Sequence, residues 1–263
     1  QGKARQLNLL AMYEKLAESY ARRLDFDVLH VVVQQNLLPF LWKNGHLGGR
    51  TFDVLMTALP MTEIQKRLDL AHSLYPESPT LGDFRADESI VVAETDALRH
   101  ARKIVTSHSD IATLFGSRLE QLEWNLPAEQ HIDRPKNKKL HIVFPAATVG
   151  RKGCYELREA LQGLDVTLVL LGSEIEGPDF WEGFDTEKGG GEWLTNADLV
   201  VLPAQVEHKP SRLLLAASKG IPVIASKACG VENVEGIESI DAGDPVSLRK
   251  AIMLQLRKID PNL

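Results

Sequence analysis

The chain has 263 residues, 44% hydrophobic and 25% charged, which fits one large or two modest globular domains. Its net charge of −6 excludes a broad electrostatic attraction to nucleic acid or an anionic membrane, and leaves room only for a local basic pocket. The two cysteines, Cys154 and Cys229, have neither metal-ligand spacing nor a disulfide framework, and read as reduced thiols of a cytoplasmic protein. The apolar runs "DVLHVVV" and "TLVLLG" fall far short of the ~20 residues of a membrane span. The start, "QGKARQ", is polar, has no apolar signal core and no Met, and reads as the interior of a longer protein.

In chain order, Leu7 to Leu24 has apolar residues at helical spacing and predicts an amphipathic helix. "DFDVLHVVV" predicts a buried strand, "NLLPFLW" a short helix or turn, and "RTFDVLMTALP" a strand ending at Pro60. Helices follow in "TEIQKRLDLAHSLY" and over 86–102, then the strand "KIVTS", a short helix stopped by Gly116, and a strand in "RLEQLEW". The polar, Pro-containing stretch "PAEQHIDRPKNKK" at 127–139 marks a linker over 129–139, between domains at 1–128 and 140–263. Beyond it come the strand "LHIVFP", the helix "GCYELREALQGL", the strand "DVTLVLLG", the flexible loop "KGGGE" at 188–192 and the strand "NADLVVLP". A helix from Pro210, the strand "IPVIAS" and a last helix opened by Asp244 and Pro245 complete the chain. The alternation predicts an α/β protein of two Rossmann-like, doubly wound parallel-sheet domains facing a cleft, the N-terminal one incomplete. Right-handed crossovers put the loops that end the strands along one edge of each sheet.

Two such loops can carry chemistry. In "FPAATVGRKGCYELREAL" a strand runs through Gly150, Arg151, Lys152 and Gly153 into a helix. Adjacent cations beside free backbone N–H groups attract phosphate, and glycine lets a ligand approach the backbone. The pattern is neither a Walker A motif nor GxGxxG, and on local spacing alone a polar turn with a capping Gly is the favoured reading. In "LPAQVEHKPSRLLLAASKGIPVIAS" Pro210 suits the first helical turn, which frees the N–H groups of Ser211 and Arg212 for an anion. Glu207 just before them either accepts bonds from sugar hydroxyls or is a solvated loop acid near a helix start. Weaker candidates are Asp198 at the head of a strand, Gly172 and Ser173 after another, and His108 at a strand end. No Ser-His-Asp, Cys-His, paired-carboxylate or metal-ligand arrangement is legible.

The ordered series "HIVFPAATVGRKG", "LREAL", "DVTLVLLG", "NADLVVLP" and "VEHKPSRLLLAASKGIPVIAS", with the terminal helix and "KIVTSHSD", resembles the retaining glycosyltransferases of family four. The resemblance covers about residues 85–260. It implies a GT-B fold and transfer of a sugar from a nucleotide-diphospho-sugar to a glycan, lipid or small-molecule acceptor, without metal or other cofactor and without nucleic acid. It further implies Glu207 as the catalytic acid that orients the donor sugar. Donor binding falls to Arg151, Lys152, Gly153, Gly172, His208, Pro210, Ser211 and Arg212. Three positions depart from the family pattern. Leu215 stands where a second Glu contacts the ribose, Ala147 where an Arg joins the diphosphate clamp, and Leu59 where the N-domain His follows a strand. These departures keep a non-catalytic nucleotide-sugar-binding or partner protein open as an alternative. An epimerase of the same architecture is a further one.

Overall fold

The computed structural model describes residues 2–128 and 139–260. Apart from Lys139, the expected linker lies outside the described residues. The chain divides into two compact units, one of Gln1–Asp69 with Gly82–Glu123 and one of Leu70–Leu81 with Trp124–Leu263. The excursion of Leu70–Leu81 into the second unit has no counterpart in the composition of the sequence.

In chain order the first unit holds α1 (Gly2–Ala21), β1 (His30–Gln34), α2 (Leu38–Lys43), β2 (Thr51–Leu55), α3 (Met61–Leu74), α4 (Glu88–His100), β3 (Lys103–Thr106), α5 (Ser109–Ala112) and β4 (Leu119–Gln121). The last residues of α3 belong to the second unit. The strands pair in the order β1-β2-β3-β4, all parallel. Phe52, Val54, Ile104, Leu38, Phe40 and Leu98 build its core. Helix α1 starts earlier than its periodicity predicts. Leu10, Tyr13, Ala17 and Ala21 turn to the core, while Leu9, Met12, Leu16 and Tyr20 on the other side stay exposed. Pro60 precedes α3 by one residue and the strand before it stops at Leu55.

The second unit holds β5 (His141–Phe144), α6 (Cys154–Ala160), β6 (Thr167–Leu170), β7 (Thr186–Lys188), α7 (Trp193–Asn196), β8 (Leu199–Leu202), α8 (Ser211–Ser218), β9 (Val223–Ser226), β10 (Ile237–Ile240) and α9 (Pro245–Ile259). Among the described residues its six strands are parallel, in the order β10-β9-β8-β5-β6-β7. Every residue of β6, β8 and β9 is buried, as expected when both faces of a parallel sheet are covered. Their continuous Val, Ile and Leu runs supply the larger core together with Phe144, Leu157, Trp181, Leu213 and Ile252. Two edge strands were not expected. β7 takes in Lys188 from the predicted flexible loop and is exposed throughout, and β10 follows Gly236.

This sheet positions the site. The chain leaves β5 toward β6 on one side and later enters β8 on the other side of β5. The strand order therefore reverses between β5 and β8. In open parallel sheets such a point opens a crevice beyond the strands' C-terminal ends, where ligands bind.

Candidate functional site

A cavity of about 430 Å³ occupies that crevice, within the usual range of small-molecule sites. The loop after β5 contributes Pro145, Ala146, Ala147, Val149, Arg151 and Lys152. From β8 and the loop and helix start beyond it come Leu202, Glu207, Lys209, Pro210, Ser211, Arg212 and Leu213. Six of the residues singled out from sequence meet here: Arg151, Lys152, Glu207, Pro210, Ser211 and Arg212. Gly153, Gly172 and His208 do not line the cavity.

The two loops are locked together from behind. Gly153 has φ +75°, and a Cβ there would lie 2.0 Å from the Pro203 carbonyl oxygen. Only glycine meets both conditions. Gly172 is a packing glycine, since its Cβ would fall 2.4 Å from Ala147 Cα. It brings the strand end after β6 against the backbone that floors the cavity. The backbone N–H groups of Gln205 and Val206 both donate to the Arg151 carbonyl, at 3.0 and 3.2 Å. Glu176 accepts from the Gly150 N–H, from the hydroxyls of Ser78 and Tyr155, and from that of Thr80. Leu81 packs on Gly150 so closely that a Cβ would meet it at 2.5 Å. The segment 78–81 thus braces the turn that presents Arg151 and Lys152.

Lys152 and Glu207 are 9% and 8% exposed and form an ion pair, Nζ to Oε2, at 2.6 Å. The other carboxylate oxygen of Glu207 accepts from the backbone N–H of His208 at 2.8 Å and of Lys209 at 2.9 Å. Burial alone would raise the Glu207 carboxyl, but the charge and hydrogen bond of Lys152 outweigh it and hold it below the usual carboxylate range. Burial pulls Lys152 down against the opposing pull of Glu207. The pair titrates as a unit. Lys152 therefore lines the cavity with its charge shared with Glu207, and Glu207 is an oriented, ionised acid.

The outer cations complete the wall. Arg212, exposed, donates to the Pro145 carbonyl at 2.7 Å. That contact holds its guanidinium against the loop after β5, on the cavity wall. Helix α8 opens at Ser211 behind Pro210 with no side-chain cap, so its first amides are donors without an intrahelical acceptor. Together Arg151, Lys209, Arg212 and the α8 start favour an oxyanion. Lys209 was missed from sequence and lines the cavity between Glu207 and Pro210.

The remaining candidates have structural roles. Asp198 accepts from the His141 N–H at 2.8 Å, at the opposite end of β8 from the cavity. His108 is buried and its ring accepts from the Ile111 N–H, capping α5. Leu215 is half-buried on α8, outside the cavity wall. Leu59 is fully buried in the first unit, where its carbonyl accepts from Gln35 at 3.2 Å.

No family model matches the chain. It is 25% identical over 241 residues to TuaC of Bacillus subtilis (strain 168), named as a teichuronic acid biosynthesis glycosyltransferase. The match covers 82% of this chain, which spans 60% of the length of that relative. Among solved structures it is similar to sucrose-phosphate synthase from Thermosynechococcus elongatus, with TM-score 0.63, 16% identity, and 97% and 70% of the two chains covered. The lipopolysaccharide outer core galactosyltransferase WaaB superposes with TM-score 0.59 at 13% identity, over 95% and 71% of the chains. Anabaena HepE in complex with UDP gives TM-score 0.58 at 13% identity, over 95% and 73%. These likenesses show the fold: the chain has the parallel α/β architecture of the GT-B glycosyltransferases.

Proposed function

We propose that the chain binds a nucleotide-diphospho-sugar and transfers its sugar to an acceptor, as in the retaining glycosyltransferases of family four. The observation that carries this reading is the cavity at the β5–β8 reversal, where Arg151, Lys209, Arg212 and an uncapped helix start surround a buried, ionised Glu207. The solved structure of a similarly folded protein with UDP supports a uridine nucleotide as the first donor to try.

In this reading the diphosphate lies against Arg151, Arg212 and the amides of Ser211 and Arg212. These groups are fixed before the ligand arrives and stabilise the charge that develops on the leaving diphosphate. Glu207, held by Lys152 and two backbone amides, fixes the orientation of the donor sugar. The cations serve the diphosphate without a metal ion.

Two observations favour a second reading, a nucleotide-sugar-binding protein without turnover. Lys152 and Glu207 already satisfy each other's charge, and Leu215 offers no carboxylate to a ribose.

Calorimetry with a panel of UDP-, GDP- and ADP-sugars separates the readings. Micromolar binding of one member, followed by release of its nucleoside diphosphate when acceptors are added, is the expected result. Binding without release under any acceptor supports the second reading. Failure of a folded protein to bind any member rejects both.

A further inference from the structure

A buried carboxyl lies behind the cavity wall. Glu156 stands in the first turn of α6 and is 1% exposed. Its Oε1 is 2.5 Å from Nε2 of Gln205, which is also buried. Its Oε2 is buried and meets no hydrogen-bond partner among the described residues. No cation pairs with it there. The titratable groups that interact with it are Glu159 on its own helix, Cys154, and Tyr75 from the segment packed on α6. None can carry a compensating positive charge. An ionised carboxylate so placed would be an uncompensated buried charge, a strongly unfavourable state.

The partner of Glu156 adjoins the site. Gln205 lies between β8 and Glu207, and its backbone N–H is bonded to the Arg151 carbonyl. The Glu156–Gln205 contact therefore ties the helix that follows the Arg151–Lys152 turn to the segment that delivers Glu207 and Lys209. We propose that Glu156 is a positioning residue of the candidate site: its buried carboxyl holds Gln205, and with it the 203–209 segment that sets Glu207 and one wall of the anion pocket. The functional part of this inference rests on the reading of the cavity as a diphosphate site. Burial pushes the Glu156 carboxyl up to about 7, against the smaller opposing effects of its own backbone amide and of Gln205. Ionisation near neutrality strengthens the bond from Gln205 but leaves Oε2 as an uncompensated charge behind an anion site, and the cost of that buried charge favours opening of the wall to water.

The test is hydrogen exchange of the full chain over residues 199–215, from mildly acidic to mildly alkaline pH, with rates divided by the intrinsic chemical rate at each pH. Wild type is expected to lose protection there by about tenfold as pH rises through neutrality. Glu156→Gln keeps the acid-side protection throughout, and Gln205→Ala shows the alkaline-side behaviour at every pH. UDP-glucose, whose phosphates do not titrate in this range, is the calorimetric probe. Its affinity is expected to fall several-fold over the same range in wild type and to stay level in Glu156→Gln. Identical pH profiles for wild type and Glu156→Gln overturn the proposal, as does wild-type protection in Gln205→Ala. If Glu156→Gln does not fold, the Gln205→Ala comparison alone decides. If UDP-glucose binds wild type at no pH, the donor reading fails for that nucleotide while the exchange profiles still decide the role of Glu156.

Discussion

At the scale of single residues, Lys152 cannot be changed without leaving Glu207 buried without its counter-charge. Lys152→Met is expected to cost about 3–5 kcal/mol of stability, the usual consequence of breaking a buried ion pair from one side. The double variant Lys152→Met with Glu207→Gln should recover most of that loss, because no charge is then left stranded. Urea unfolding of the two single variants and the double variant measures this coupling. Additive losses would mean that the two charges do not depend on each other. Glu156 gives a prediction of opposite type. Its carboxyl keeps its proton in the folded chain up to about 7, against an ordinary value of 4.5. Between those values the folded state holds a proton that the unfolded state has released. This contribution to stability is therefore full below pH 4.5 and is lost as pH rises through about 7, by about 3 kcal/mol in all. The difference in unfolding free energy between wild type and Glu156→Gln should show that slope. A pH-independent difference would place the carboxyl at its ordinary value.

At the scale of elements, the β5–α6 turn depends on one glycine. Gly153→Ala forces a left-handed conformation on a residue with a Cβ, worth about 1–2 kcal/mol. It also drives that Cβ into the Pro203 carbonyl. Gly163→Ala is the control, since it has φ +72° and nothing within 4 Å of its Cβ. Thermal unfolding should rank Gly153→Ala well below Gly163→Ala, and only Gly153→Ala should weaken nucleotide binding, because it parts the two loops that line the cavity. The elements themselves were legible where burial dictates composition. Strands β5, β6, β8 and β9 are apolar runs because a covered parallel sheet leaves them no polar face. The edge strands β7 and β10 were not legible. They are short, carry Glu187 and Glu238, and form by pairing with β6 and β9 rather than by burying themselves. The cavity residues were legible for a topological reason: a strand–loop–helix pattern fixes which loops end at the same sheet edge. Pairing across loops was not. Lys152 and Glu207 are 55 positions apart, and nothing in "VEHKPSR" says that the acid meets a cation rather than a ligand. Glu156 was hidden in "YELREAL", which reads as an ordinary charged helix face.

At the scale of the whole molecule, the described residues form two hydrophobic cores, one per unit. Every residue that lines the candidate cavity lies in the second unit. A ligand held only by those residues contributes its binding free energy to opening of that unit. At a free concentration about 100 times the dissociation constant, that contribution is about 2.7 kcal/mol. Native-state hydrogen exchange resolves where it acts, because strand amides open in cooperative groups. With a bound nucleotide-sugar, amides of β5, β6 and β8 are expected to slow by up to about a hundredfold, the same free energy expressed as a rate. Amides of β2 and β3 in the first unit should keep their ligand-free rates. The same slowing in both units would show that they open together and that the ligand reports on the whole chain. Slowing confined to the first unit would place the binding site there and remove the cavity at the β5–β8 reversal from the mechanism. Arg151→Ala combined with Arg212→Ala gives the internal check: both side chains line the cavity outside the buried Lys152–Glu207 pair. This variant should keep the ligand-free exchange pattern of wild type and show no slowing on addition of the nucleotide-sugar.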